Sequence, residues 1–240
     1  MPRFFVDALA DTVVITGEDA GHIAKSLRMT AGEAITLCDG RGLEAHGVIV
    51  SLSPDAVSVR LGEAAACAAE PQTKVSLYLA MPKGDKTELV VQKAVELGTV
   101  EIVLFLSSRC ISRPKGEDAA KKVQRLQKIA VEAAKQCGRG ILPVVRGVLS
   151  FAQALQEMQQ FDHCFVLYEG LCEPLRRQLP QRGATLALLV GSEGGFSPEE
   201  ISQADGCGVR AASLGKRILR CETAPIAALS AIMFALGEMD

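Results

Sequence analysis

The chain contains no tryptophan, and aromatics make up only 4% of it. Recognition of nucleic acid through a platform of stacked rings is therefore excluded as its main mode. Its eight cysteines form no C-x-x-C pair, and no Cys/His cluster has zinc spacing. They read as reduced thiols of a cytoplasmic protein, and no metal is expected. Long apolar runs are missing as well. The stretch from Ala224 to Leu236 is interrupted by Pro225 and Ser230 and is too short to cross a bilayer. Met1–Asp7 lacks the apolar core of a signal peptide, so no export is expected. An excess of charge is lacking too: 26 Lys and Arg face 28 Asp and Glu, a net −2. With 48% hydrophobic and 22% charged residues, the 240-residue chain has apolar mass for one large or two smaller domains.

The small net charge hides an uneven distribution. Residues 74–147 hold 14 cations and 7 acids, whereas the remainder holds 12 and 21. The segment 119–138 reads as a helix with Val123, Leu126, Ala130, Ala133 and Cys137 on one face. Lys121, Arg125, Lys128, Lys135 and Arg139 fall opposite, where Glu132 is the only acid. A solvated helix back is the ordinary reading of such a face. A stripe of one sign is also the footprint of a polyanion site. Arg109, Arg113 and Lys115 extend the stripe, and Lys83 and Lys86 can join it.

Two rhythms divide the chain. Ile35–Cys38, the turn Asp39-Gly40-Arg41-Gly42, a return strand within Leu43–Leu52 and the alternating Val57–Leu61 predict short antiparallel strands. One short helix fits Ala20–Leu27. A small β-rich barrel over residues 1–72 is expected, with Gly62–Gln72 as linker or last excursion. After Thr73, apolar runs with little alternation (Val75–Ala80, Val100–Leu106, Cys164–Tyr168, Leu186–Val190) lie between helical patterns. Such runs suit a mostly parallel sheet covered on both faces, so residues 73–240 read as an α/β domain.

Two loops carry the chemistry. Gly191-Ser192-Glu193-Gly194-Gly195-Phe196-Ser197 follows a buried strand and opens a helix, which Ser197, Pro198 and Glu200 cap. Three glycines in five residues permit close backbone approach to a ligand, beyond what a simple turn needs. It is not a phosphate loop: no G-x-x-x-x-G-K-S/T occurs, and Glu193 would repel phosphate. An adenosine ligand with a positive centre fits better. The second loop, Leu214–Pro225, places Lys216, Arg217 and Arg220 beside Glu222 between a strand (Val209–Ser213) and a helix capped by Thr223. A nicotinamide-dependent dehydrogenase is excluded, because the nearest dinucleotide fingerprint, Gly206–Ala211, sits at a helix end and leads into a strand.

Gly-Ser-Glu-Gly-Gly-Phe-Ser (191–197) and Leu-Gly-Lys-Arg-Ile-Leu-Arg-Cys-Glu-Thr-Ala (214–224) together resemble the signature loops of the ribosomal RNA small subunit methyltransferase E family. His22 to Arg28, Lys83 to Gly98 and Glu132 to Arg139 are similar to its other motifs. Ser192 and Lys216 stand where the family usually has Pro, and Cys221 where Thr or a small residue is commoner.

The resemblance implies an N-terminal PUA-like β-barrel that binds RNA and a C-terminal SPOUT-type α/β domain tied in a trefoil knot. It implies a homodimer that uses S-adenosyl-L-methionine to methylate N3 of a decoding-site uridine in 16S rRNA of the small ribosomal subunit. The implied cofactor residues are Tyr168, Glu169, Leu189, Gly191, Glu193, Gly194, Gly195, Leu214, Gly215, Ile218, Leu219 and Arg220. For that chemistry Arg220, in the cofactor loop, is the first candidate cation for the uracil anion, with Arg139 and Arg28 as further candidates; Glu222 or Glu193 is the candidate proton acceptor. RNA contacts are expected from Arg3, Arg28, Lys83, Lys86, Arg109, Lys121, Arg125, Gln136 and Arg139. A ribose 2′-O-methyltransferase of the same class and a non-catalytic ribosome-assembly protein remain open alternatives.

Overall fold

The computed structural model describes all 240 residues. The chain packs as two units, residues 1–70 with 134–142, and residues 71–133 with 143–240.

The first unit contains β1 (Arg3–Phe5), β2 (Thr12–Thr16), α1 (Gly17–Gly21) with a π-helical turn at His22–Ser26, β3 (Ala34–Cys38), β4 (Leu43–Leu52) and β5 (Ala56–Ala66). The strands form one sheet in the order β1-β3-β4-β5-β2, antiparallel except for β1 with β3. Period-two patterning buries Ala45, Gly47 and Ile49 of β4 and exposes His46, Val48 and Val50. Inward residues Phe4, Ile15, Ile35, Leu37, Ile49, Val57 and Val59 meet Ala20 and Ile23 in a core, giving a half-barrel. Asp39 Oδ1 accepts from the Arg41 and Leu43 amides and so sets the expected turn.

Two local expectations are corrected. The Ala-rich stretch at 62–66 continues β5, with Leu43, Glu44 and Ala45 paired to Ala66, Ala65 and Ala64. Backbone pairing makes this strand, and its small exposed side chains leave no apolar alternation to read. The helix expected at 20–27 starts three residues earlier and finishes as the π turn. Residues 134–142 return to this unit, where the Gly140 and Ile141 amides donate to Glu70 Oε1.

The second unit contains β6 (Lys74–Ala80), α2 (Lys86–Glu96), β7 (Glu101–Leu106), α3 (Gly116–Cys137, of which 134–137 belong to the first unit) and β8 (Val144–Ser150). It continues with α4 (Phe151–Met158), β9 (His163–Leu167), α5 (Leu175–Gln178), β10 (Thr185–Val190), α6 (Pro198–Gly206), β11 (Arg210–Ala212) and α7 (Thr223–Ala235). Six strands form a wholly parallel sheet, in the order β11-β9-β10-β6-β7-β8. The uniform apolar runs of β6, β7, β9 and β10 are buried, as two covered faces require. The α/β expectation therefore holds. Ser197 and Glu200 close the expected capping box on α6. On α7 the N-cap position is Glu222 rather than Thr223, and no side chain caps it.

Glu238 fastens the chain end back to the start of this unit. Its carboxylate accepts from the Gln72 and Thr73 amides at 3.0 and 2.8 Å and lies 3.2 Å from the Arg182 guanidinium. Burial opposes its ionisation, but the Thr73 hydroxyl and amide, the Gln72 amide and Arg182 outweigh this and hold its pKa at about 2. Glu238→Gln should cost about 1–2 kcal/mol at neutral pH. Because the folded-state pKa is depressed, wild type should keep its full advantage over the variant above pH 4.5 and lose it as pH falls toward 2. Urea midpoints measured against pH check this.

Candidate functional site

Three loops leave the carboxyl ends of the adjacent strands β9, β10 and β11, where open α/β sheets bind ligands. They enclose a cavity of about 360 Å³. Its apolar lining comes from Leu167, Val190, Phe196, Ala212, Ile218 and Leu219; its charged lining comes from Lys86, Glu169, Glu193, Lys216, Arg217 and Arg220. The backbones of Gly191, Gly194, Gly195, Leu214 and Gly215 complete the wall.

The loop after β10 is held from behind. Phe196 is 2% exposed and packs on Phe105 of β7 and Phe151 of α4, with ring centroids 6.4 and 6.0 Å away. Glu200 is also buried. One oxygen accepts from the Ser197 amide and the other from the Ser108 amide at 2.7 Å, joining α6 to the loop after β7. Arg109 on that loop donates to the Gly194 carbonyl at 2.9 Å. A Cβ at Gly194 would lie 2.8 Å from Arg109 Cβ, so only glycine allows this approach. Gly195 has φ +62°, and Glu169 Oε1 approaches its Cβ position to 3.3 Å.

The charged groups form a connected set. Lys86 Nζ lies 3.2 Å from Glu193 Oε1 and 3.3 Å from Glu222 Oε2. The Lys83 amide donates to Glu193 at 3.1 Å, and the Cys221 thiol to Glu222 at 3.2 Å. Burial opposes ionisation of Glu193, but its backbone hydrogen bonds and Lys86 lower its pKa below the ordinary value. Glu222 is lowered first by a backbone hydrogen bond, then by Cys221 and Lys86. Burial, with Glu222 and Glu193 adding, pushes the Cys221 thiol up to about 12. Both carboxyls are therefore anions at neutral pH, and Cys221 is a neutral thiol.

Among the expected cofactor residues, the cavity lining includes Tyr168, Glu169, Gly191, Glu193, Gly194, Gly195, Leu214, Gly215, Ile218, Leu219 and Arg220. Leu189 is fully buried one residue before this lining, so its side chain belongs to the core. Of the expected catalytic groups, Arg220 and Glu193 line the cavity and Glu222 joins them through Lys86.

The expected RNA contacts fare differently. Lys86 is a lining residue. Arg109 braces the Gly194 carbonyl as described. Lys83 and Gln136 are exposed, as is Arg28, at φ +53°. Lys121 pairs with Glu117 at 3.3 Å and Arg125 with Glu88 at 2.7 Å. Two expectations are corrected. Arg3 binds Glu44 at 2.6 Å and the Cys38 sulfur at 2.8 Å, so it braces the half-barrel. Arg139 has its side chain 3% exposed, and its Nε and Nη2 each lie 2.9 Å from the Glu70 carboxylate. Its guanidinium is thus buried against Glu70 rather than open to solvent. Lys135 likewise pairs with Asp19 at 2.7 Å. The helical wheel counted cations correctly but could not see their partners.

Sequence reasoning missed the pairing role of Lys86 and the bracing role of Glu200. The capping box signalled Glu200 only as a local helix cap, and no short motif signals the Lys86 pairs. Leu167 and Ala212 also line the cavity without having been singled out as cofactor residues.

Comparisons with known proteins identify the family and fold. A family model described as an RNA methyltransferase domain matches residues 69–233, and an RNA methyltransferase PUA domain matches residues 15–62. A ribosomal RNA small subunit methyltransferase E from Neisseria gonorrhoeae, crystallised bound to S-adenosyl methionine, superimposes with a TM-score of 0.89. It is 31% identical, with 98% of this chain and 97% of that one covered. A Legionella pneumophila methyltransferase in complex with the same cofactor gives 0.88 at 32% identity, with 97% of each chain covered. Fold and relatives thus define the class of SPOUT-type RNA methyltransferases, with an α/β methyltransferase domain and a PUA-like domain.

Among curated relatives, the ribosomal RNA small subunit methyltransferase E of Bacillus subtilis is 38% identical over 98% of this chain and 96% of its own length. The chain belongs to the ribosomal RNA small subunit methyltransferase E family.

The structural role of Arg139 is testable away from the cavity. Glu70→Gln removes the carboxylate charge that faces the buried Arg139 guanidinium and should destabilise the protein by about 3 kcal/mol, read as a lower urea midpoint.

Proposed function

We propose that this protein transfers the methyl group of S-adenosyl-L-methionine to N3 of a decoding-site uridine in 16S rRNA. The observation that carries the reading is the cavity built from three loops at the sheet's carboxyl edge in a chain of this family. Its chemistry fits the cofactor. Apolar side chains and close backbone suit adenosine, whereas Glu169 and Glu193 suit a cationic ligand and disfavour phosphate. The expected residues then hold the adenosine through the backbones of Leu189, Gly191, Leu214, Ile218 and Leu219. The bound cofactor supplies an electrophilic methyl group on a sulfonium.

The protein orients the base and manages charge and proton. Arg220, exposed at the cavity rim, stabilises the negative charge that develops on the uracil oxygens. Glu222 or Glu193 accepts the N3 proton; both are ionised at neutral pH and able to do so. The base leaves its stack to reach the cavity.

The division of labour follows the expected one, with residues 1–72 contributing to RNA binding and residues 73–240 to methyl transfer. Arg28, Lys83, Lys121, Arg125 and Gln136 are exposed and available to RNA. The Lys121–Glu117 pair is solvent-exposed and weak enough for phosphate to displace, and the Arg125 guanidinium is two-thirds exposed on its pair with Glu88. A homodimer is supported by α7, which is apolar on nearly every side and leaves Phe234 73% exposed. Action in the cytoplasm follows from an rRNA substrate, and no helix is long and apolar enough to cross a membrane.

Primer extension across 16S rRNA from cells lacking the gene, with nucleoside mass spectrometry, tests the reaction. A missing base methylation is expected; loss of a ribose methyl, or no change, overturns it. Arg220→Ala should reduce methylation at least 100-fold, a magnitude of about 3 kcal/mol, while calorimetry shows cofactor affinity nearly unchanged. Neutralising Lys121, Arg125 and Lys128 together should weaken RNA binding and flatten its salt dependence. An unchanged salt slope would return that face to solvent.

A further inference from the structure

Lys86 is the residue whose position the reaction has not yet used. It opens α2, after β6, whereas Glu193 lies in the loop after β10 and Glu222 at the start of α7. One ammonium thus touches carboxylates from two separate loops of the cavity, at 3.2 and 3.3 Å. Its side chain is 32% exposed, so its stem is partly packed and its head held in place. A phosphate-binding lysine would be expected to reach outward without acidic partners; this one is turned onto two.

We propose that Lys86 is a positioning residue for the methyl transfer: it ties the two loops that carry Glu193 and Glu222, fixing Glu193 at the cavity wall with Glu222 beside it. The proposal rests on the methyltransferase reading given above. Its distinct content is that neither carboxylate works alone. Two acids so close repel one another, and without a shared cation both carboxyls would titrate at higher pH. With Lys86 between them both stay charged, and the three groups together carry a net −1. That charge favours a cationic ligand and repels the phosphates of RNA, leaving phosphate contacts to cations outside the cluster.

The other groups around the cluster are few and identifiable. Cys221 faces Glu222 and lies 3.8 Å from Lys86, as a neutral thiol. The Lys83 backbone amide supports Glu193. Glu169, from the loop after β9, and Lys216, Arg217 and Arg220, from the loop after β11, line the same cavity, but none has a recorded ion pair to either carboxylate. Lys86 is therefore the one cation paired directly with both.

Two readouts on the full-length protein test this. First, carbon-13 NMR titration of glutamate carboxyls, assigned with E193Q and E222Q, follows the two groups without any substrate. In wild type both should titrate below the ordinary glutamate value. In Lys86→Met both should move up by about half to one pH unit, and in Lys86→Arg they should stay low. Second, initial rates of radiolabelled methyl transfer to 16S rRNA are measured from pH 5 to 9. The acid limb of kcat/KM should move to higher pH in Lys86→Met and be restored in Lys86→Arg.

Carboxyl titrations that ignore Lys86→Met overturn the pairing. Titrations that move while the pH profile and kcat stay at wild-type values reduce Lys86 to a structural tie and overturn its role in the reaction. A wild-type protein that methylates no rRNA overturns the methyltransferase reading instead, and the NMR titration still decides the pairing.

Discussion

The site depends on the backbone ladder that holds β10 between β6 and β9. Thr185–Val190 pairs with Lys74–Leu79 on one edge, and Leu186–Leu189 with His163–Val166 on the other. Parallel pairing aligns the carboxyl ends of all three strands. Val190 opposite Leu79 brings the segment from Met81 to Lys86 beside Gly191–Glu193, and the same alignment brings Tyr168 and Glu169 to the other side. A shift of this register would separate Lys86 from Glu193 without changing a single side chain. The uniformly apolar run keeps both faces of β10 covered.

Around that ladder, charge is placed in two ways. Inside the half-barrel unit, Arg139 with Glu70 and Arg3 with Glu44 are largely removed from water, and their partners fix where they point. Burial and Arg139 act oppositely on Glu70, and Arg139, with the Gly140 and Ile141 amides, wins to hold its pKa down. On the exposed face of α3, Lys121 pairs with Glu117 in open solvent, and Arg125 with the half-buried Glu88. The first kind of pair specifies packing, whereas the second can exchange for another anion at little cost.

Much of this was legible in the chain. The two β rhythms, the turn at Asp39, the capping box at Ser197 and the glycine-rich loop each depend on residues near one another in sequence. Local chemistry suffices to read them. What escaped depends on distant partners. Arg139 meets Glu70 across 69 positions, and Lys86 meets Cys221 across 135. No periodicity links such residues, so a wheel shows a cationic face where the fold shows pairs. The strand at 62–66 escaped for another reason. Its alanines and glycine give no alternation, and only the hydrogen bonds to β4 define it.

The absence of tryptophan gives the two tyrosines a use as reporters. Tyr78 is fully buried on β6, edge-on to Phe161, and Tyr168 lines the cavity at the end of β9. Tyrosine emission from the native protein therefore has only two sources, one sealed in the core and one at the ligand's edge. Core emission reports on integrity of the parallel sheet, and quenching from the other source reports on occupancy of the cavity. The molecule carries its own pair of optical probes, with no label or added chromophore.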